Sequence, residues 1–499
     1  IVPTTQAQIA SYPSTTDQTT GVNIKVTYNA HISVSQAAGT YKGKVKYTLV
    51  HPSLHAAPAS RPATLDTGET VNTKLKFLAA GSSKTIWDTD NLIKAIDVHT
   101  GTAAPSGFTP SESNTVSSSA SEQPIYIVFD NANDAGIMHF YTEGDRIVLS
   151  AVSSYMFNNM RALSEFSDIT DWDTSRVTDM YGMFYQAGSD ATTFSLDLSD
   201  WDVSKVTSTD DMFYSAGYNS TTFSLDVSGW DTSSITNMTT MFCNAGHNAT
   251  TWSIDGLSGW DVSRATSLYQ VFAYAGYNAT TFSLDVSDWN TSQITNTAFM
   301  FTEAGYNATT FSLDVSGWNT SQVESMSAMF ENAGHSATTW SINGLSGWNT
   351  SHAKNMSTMF SYAGYSASNF SLDISSWNIS QATNISSMFQ HAGHDSTAFS
   401  LDLSGWNTSA VTNIYGLFSN AGYNATTFSL NLSGWNTSNV TNMSAMFYQT
   451  GYNTTAANWI VTIPQTNGGG INNTASRIYG QTTSKYVSAP SGKSFTLAQ

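Results

Sequence analysis

The sequence holds a single cysteine, Cys243. That excludes an intramolecular disulfide and any cysteine-based metal centre. Charge is scarce as well: 11% of residues are Asp, Glu, Lys or Arg, against roughly 25% in ordinary globular domains. Ser, Thr, Asn and Gly must therefore coat the surface, as in many secreted surface proteins. Basic residues are the scarcest, with 18 Lys and Arg against 36 Asp and Glu, a net charge of −18. Such a surface repels phosphate backbones and anionic bilayers, so neither nucleic acid nor a membrane surface is an expected partner. No apolar run reaches the length of about 20 residues needed to span a bilayer. No GxSxG, HExxH or phosphate-loop pattern occurs, so no catalytic residue, cofactor site or metal site is expected. The chain opens on Ile1 rather than Met, which reads as a processed N-terminus.

What the sequence has in abundance is repetition. Tryptophan falls at Trp172, Trp201, Trp230, Trp260, Trp289, Trp318, Trp348, Trp377, Trp406 and Trp435, in steps of 29 or 30 residues. The Phe of a Met-Phe pair keeps the same beat, as at Phe184, Phe213, Phe242, Phe330 and Phe447. A fixed period of this length marks a solenoid, in which each copy packs only on its neighbours. One copy reads AGYNATTFSLDVSGWNTSQVESMSAMFEN (Ala304 to Asn332). Phe311, Leu313 and Val315 alternate with Ser312, Asp314 and Ser316, which predicts a half-buried strand. Asn319-Thr320-Ser321 supplies helix N-cap chemistry, and Val323, Met326, Met329 and Phe330 follow on one helical face. Gly334 is placed to end that helix. One strand and one short helix per copy predict parallel strands joined by crossovers. The two 30-residue steps carry an extra glycine, Gly256 and Gly344, expected as strand bulges. They lie 88 residues apart, three copies, as if a block of three had been duplicated.

The segments SLDVSGWNTSQVESMSAMF and NLSGWNTSNVTNMSAMF resemble the mycoplasma-lipoprotein-type repeat of BspA-like leucine-rich-repeat surface proteins of bacteria. The pattern W-[ND]-T-S-x-V-T-N-M-S-x-M-F recurs from Trp172 to Phe447, about two thirds of the chain. The segment after Trp459 resembles the region that closes such arrays. The likeness implies a cell-surface protein, often adhesive and without enzymatic activity. The expected architecture is an α/β repeat solenoid, leucine-rich-repeat-like, with parallel strands and short helices. It is preceded by a β-rich immunoglobulin-like segment (1–50), a Pro/Ala linker (51–64) and an α/β cap (65–165). The ten-repeat solenoid occupies 166–458 and a C-terminal cap 459–499. Within 65–165, strands are expected at 125–130, 136–142 and 146–151, and Met156-Phe157 as a degenerate first repeat.

Most candidate residues fall in columns. Tyr218, Tyr277, Tyr306, Tyr365, Tyr423 and Tyr452 share a slot with His247, His335 and His394. A slot that accepts both Tyr and His is no tuned general base. It suits either stacking on sugar rings or loop packing against the next coil. Asp197, Asp226, Asp285, Asp314, Asp373 and Asp402 form a second column, broken by Asn343 and Asn431. Its like charges need solvent, Ser hydroxyls or cations. Asn248, Asn278, Asn307, Asn319, Asn349, Asn424 and Asn436 each head an Asn-x-Ser/Thr triplet, a glycosylation acceptor where the machinery exists. An active site would have to sit in 65–165, where His139, Glu143 and Asp145 cluster in sequence. The expected function is an extracellular, non-enzymatic structural or adhesive protein. Its expected partners are further copies of itself, in a filament or sheath, or glycans and surface proteins.

Overall fold

The computed structural model describes residues 60–464, 477–478 and 487–497. The expected immunoglobulin-like segment and most of the linker lie outside the described residues. The described part belongs to one unit, Ala59–Gln499.

The N-terminal part of that unit is a four-stranded sheet, a two-stranded ladder and one helix. Its elements are β1 (Pro62–Thr64), α1 (Gly68–Ala80), β2 (Ala95–His99), β3 (Tyr126–Asp130), β4 (Ile137–Tyr141), β5 (Arg146–Val148) and β6 (Glu165–Phe166). The Thr67 hydroxyl accepts from the N–H of Thr70 at the start of α1, and Gly81, at φ 67°, closes its end. Strand alternation does the sorting. Ile96 and Val98 of β2 and Met138 and Phe140 of β4 are buried. Asp97, His99, His139 and Tyr141 lie on the opposite face. β2 pairs in parallel with β4, and the sheet runs β3-β4-β2-β6.

The strands of the repeats follow as β7 (Thr193–Asp197), β8 (Thr222–Asp226), β9 (Thr251–Asp255), β10 (Thr281–Asp285), β11 (Thr310–Asp314), β12 (Thr339–Asn343), β13 (Phe370–Ser371), β14 (Ala398–Asp402) and β15 (Thr427–Asn431). β16 (Trp459–Ile463) adds to their end. They form three ladders, β7 to β9, β10 to β12 and β13 to β16, each parallel and in register, so like sits on like: Phe282 beside Phe311, Leu284 beside Leu313, Asp285 beside Asp314. The result is a parallel β-solenoid of about nine coils. Phe157 begins its central column, stacking on Phe184 at 5.3 Å.

The expected short helix does not form. Residues 323–334 run instead as a string of tight turns. Backbone N–H groups alternate between two destinations there. Met326, Ala328, Phe330 and Asn332 donate to the next coil, to Asn355, Ser357, Met359 and Ser361 at 2.8–2.9 Å. Met329, Glu331 and Ala333 donate back three residues within their own coil, to Met326, Ala328 and Phe330. This path needs left-handed residues, and Ala328 (φ 54°) and Asn332 (φ 56°) supply them. A turn chain of this kind buries Met326, Met329, Phe330 and Ala333 on one side, as a helix would. The N-cap reading of Asn319 is corrected with it: its Oδ1 accepts from the N–H of Ser321 at 3.1 Å, an Asx turn.

The two extra glycines are not strand bulges either. β11 and β12 stay in register through Asn343. Gly344, at φ 96°, then turns the chain into a 3-10 turn, Leu345–Gly347, and Gly256, at φ 101°, does the same ahead of Leu257–Gly259. A Cβ on Gly344 would lie 2.1 Å from the Cα of Ser316 in the coil below. The sheet ladder breaks after β9 and again after β12, the two coils with the insertion. The three-copy block read from the sequence is therefore a structural block.

The coils are tied by stacked rings and by polar ladders. The Met-Phe column repeats at 5.3–5.8 Å between ring centroids from Phe184 to Phe447. Trp289 stacks between Trp260 and Trp318, and its indole N–H donates to the carbonyl of Leu257 at 2.7 Å. Thr250, Thr309 and Thr338 hydroxyls each donate to the carbonyl of the equivalent Thr one coil back. Thr236, Thr295 and Thr412 do likewise along a second line. The abundance of hydroxyl and amide side chains is thus more than a surface coat: many are bonds between coils.

Candidate functional site

A continuous, partly exposed chemical feature of the solenoid is the Tyr/His column. It lies in the loop between the turn chain and the strand. There Gly305 and its counterparts bring the chain against the Phe column. The rings run Tyr218, His247, Tyr277, Tyr306, His335, Tyr365, His394, Tyr423, Tyr452. Successive centroids are 4.2–5.0 Å apart and the planes lie within 13° of parallel. That spacing is the coil repeat itself, set by strand pairing at about 4.8 Å. The faces of the inner rings are consequently covered by their neighbours. Stacking on a sugar needs a bare face, and only the terminal rings, Tyr218 and Tyr452, keep one within this column. Elsewhere the column offers ring edges and hydroxyl groups.

A second ring column meets the first near its middle. Tyr362 stacks on His391 at 4.3 Å, and His391 lies 5.7 Å from His394. Burial, then the neighbouring His394 and His335, push His391 down to about 4. Burial also lowers His335 and His247. Burial thus disfavours the charged form of His247 and His335, which suits a slot shared with the neutral Tyr ring.

Beside the rings runs an amide ladder. Nδ2 of Asn248 donates to Asn219 at 2.9 Å, Asn278 to Asn248 at 2.9 Å, and Asn307 to Asn278 at 2.6 Å. Asn424 donates to Asp395 at 2.7 Å. A glycan on any of these nitrogens would replace a ladder bond. Asn319 and Asn349 instead accept, through Oδ1, from Ser321 and Ser351, and both are exposed. Asn436 likewise accepts from Ser438.

The Asp column closes each strand. Asp226, Asp285, Asp314 and Asp402 accept from the backbone N–H two residues on, at 3.0–3.1 Å. The Ser287 and Ser404 hydroxyls add second bonds at 2.7 Å. Asp197 sits in the same place in β7, and Asp373 accepts from the Ser375 hydroxyl. Asn343 and Asn431 occupy the same register positions in β12 and β15.

One acidic pair was not legible as special. Glu303 and Glu331 sit in consecutive coils of the turn chain, where the N–H of Glu303 bonds the carbonyl of Glu331. Burial, then the Glu303 carboxylate, push Glu331 up to about 6, and burial raises Glu303. A raised carboxylate binds its proton more tightly folded than unfolded. Its contribution is full below the unfolded value and is lost as pH rises through about 6. Glu331→Gln is therefore expected to raise the thermal midpoint at pH 7 and to leave it unchanged at pH 4. The gain is about 1 kcal/mol once solvent screening is allowed for. Thermal denaturation of both proteins at the two pH values measures it.

His139 and Asp145, neighbours in sequence, are directed to different partners. Asp145 turns away to bond Ser60 and the N–H of Arg61. His139 faces Asp97 and His99 across the β2–β4 pair instead. The signal for this was present in Asp97-Val98-His99, where spacing of two on a strand sets both side chains on one face.

This fold and its ladders define a parallel β-solenoid repeat protein. Residues 149–254, 217–343 and 335–459 match the family described as Mycoplasma protein of unknown function, DUF285. These matches cover more than half of the chain, and the chain belongs to that family. No curated protein and no solved structure matches it. No helix among the described residues is long and apolar enough to cross a membrane.

Proposed function

We propose that the protein is a non-enzymatic extracellular surface protein with a structural role. In this reading the solenoid is a stiff spacer, and copies join end to end into a filament or sheath. The observation that carries it is the commitment of the repeat's polar groups to the neighbouring coil. Thr hydroxyls, Asn amides and Trp N–H groups bond coil to coil. A catalytic site needs a unique constellation of groups, and a ladder of identical groups is the opposite arrangement. Low charge and the likeness of the repeat to BspA-like bacterial surface proteins support the extracellular placement. The joining element would be segment 1–50, whose alternating Val22, Ile24, Val26 and Tyr28 suit donation to the next copy as an added strand.

A second reading, a monomeric adhesin, is favoured by the long stripe of Tyr edges and Asn amides. Electron microscopy of the purified full chain over a rising concentration series separates the two. End-to-end oligomers or filaments are expected. Discrete monomers at every concentration would overturn self-assembly. Monomers that bind surface proteins or glycans, and lose that binding on Tyr306→Ala, would establish the adhesin.

A further inference from the structure

We propose that Asp97, His99 and His139 bind one first-row transition-metal dication on the outer face of the N-terminal sheet. Three ligand atoms from two adjacent strands converge there. Asp97 Oδ2 lies 3.2 Å from His99 Nε2 and 3.1 Å from His139 Nδ1, and the two imidazole nitrogens are 3.0 Å apart. This is the one group of its kind among the described residues.

Hydrogen bonding alone does not account for the triangle. It has three edges, and two neutral imidazoles bring at most two protons to it. The Asp97 carboxylate brings none. At least one edge is then left without a hydrogen bond: if both nitrogens carry protons and donate to Asp97, the 3.0 Å nitrogen–nitrogen edge sets two N–H groups side by side, and if either does not, its lone pair faces the carboxylate. A single cation above the triangle satisfies all three atoms together. Metal–nitrogen and metal–oxygen bonds of about 2.1 Å fit edges of this size. The ion would then sit about 1 Å above the plane with ligand–metal–ligand angles of about 95°, adjacent positions of an octahedron. Two imidazoles and one carboxylate on one face, with the opposite positions open, is a donor set suited to zinc, iron(II), manganese or cobalt.

The fold holds these ligands ready. Asp97 pairs in register with His139, and His99 with Tyr141. Tyr141 stacks on His99 at 4.4 Å and 15°, which fixes the imidazole plane. The three side chains are 17–34% exposed, so an ion can reach them and the open positions face solvent. Bound there, the ion would cross-link β2 to β4. The proposal does not depend on the structural role given to the solenoid.

The test uses the full chain after treatment with chelator. Cobalt(II) is added and its visible absorption followed, then zinc is added in competition. One cobalt per chain is expected, with bands of imidazole coordination that zinc abolishes, and zinc should raise the thermal midpoint. Asp97→Asn and His139→Ala are each expected to weaken cobalt binding by at least about tenfold. His352→Ala and His394→Ala, far along the solenoid, should leave it unchanged. Near-UV circular dichroism checks that the variants are folded, and His99→Ala replaces His139→Ala if the latter is not. Absence of the cobalt bands, or equal binding by the folded Asp97 and His139 variants, would overturn the site.

Discussion

Replacing Trp289 by alanine is expected to remove about 4 kcal/mol of stability. Trp289 is 1% exposed. Its indole lies 6.1 Å from Trp260 and 6.3 Å from Trp318, and 6.1 Å from the ring of Phe272. Its N–H donates to the Leu257 carbonyl at 2.7 Å. Truncation leaves a cavity in a stack and a buried carbonyl that has lost a donor. The cavity cannot close easily. The rings above and below are pinned by their own coils, and each coil is in register with the next. In a solenoid the damage reaches both neighbouring interfaces, so the array is weakened at its middle rather than at an end. Chemical denaturation measures the loss, and a second, earlier transition is the expected form of it. Trp289→Phe restores a ring but no donor and should recover part of the loss. Tyr448→Ala, at a side chain 58% exposed, should stay within about 0.5 kcal/mol of the parent. An alanine variant at Trp289 that unfolds where the parent does would contradict the stacked-ladder account of the core.

The tryptophan beat was legible because stacking identical coils needs identical residues at identical places. The alternation in Phe311-Ser312-Leu313-Asp314 was legible for the same reason that strands are: its period of two matches no other element. The turn chain was not. Val323, Met326, Met329 and Phe330 repeat at a spacing that a helix and a string of three-residue turns share. What decides between them is where the N–H groups go. In Met326, Ala328 and Phe330 they go to the next coil. A single copy contains nothing of that partner, so local propensity favours the helix and inter-coil bonding overrides it. The left-handed conformations of Ala328 and Thr358 carry no sequence signal, since neither residue is Gly or Asn. The site residues divide in the same way. The Tyr/His column could be aligned from the repeat, but its rings cover one another only because the coil spacing is close to a stacking distance. The Asp97, His99 and His139 triangle depends on β2 pairing with β4, strands 40 residues apart at His99 and His139. A non-repeated segment gives no internal copy from which to read that pairing.

Gly334→Ala tests the turn chain from its other end. Gly334 sits at φ 56°, and a Cβ placed on it would lie 2.5 Å from both Cβ and Cγ of Phe311. Phe311 has no room to yield. It is fully buried, stacked 5.4 Å from Phe282 and 6.1 Å from Trp340. The left-handed backbone alone disfavours alanine by roughly 1–2 kcal/mol, and overpacking a tight core adds roughly 1–3 kcal/mol. A loss of about 3 kcal/mol is therefore expected in urea denaturation. Gly259→Ala is the matched control. It lies in a 3-10 turn with no atom within 4 Å of the added carbon. There alanine narrows the unfolded ensemble without a clash and should be neutral or stabilising by up to about 1 kcal/mol. The two substitutions make the same chemical change, so their difference isolates the close approach of the loop to the Phe column. Equal stabilities would mean that the loop stands off from the column, and the stacked Tyr/His ladder it carries would then lose the anchor that sets its spacing.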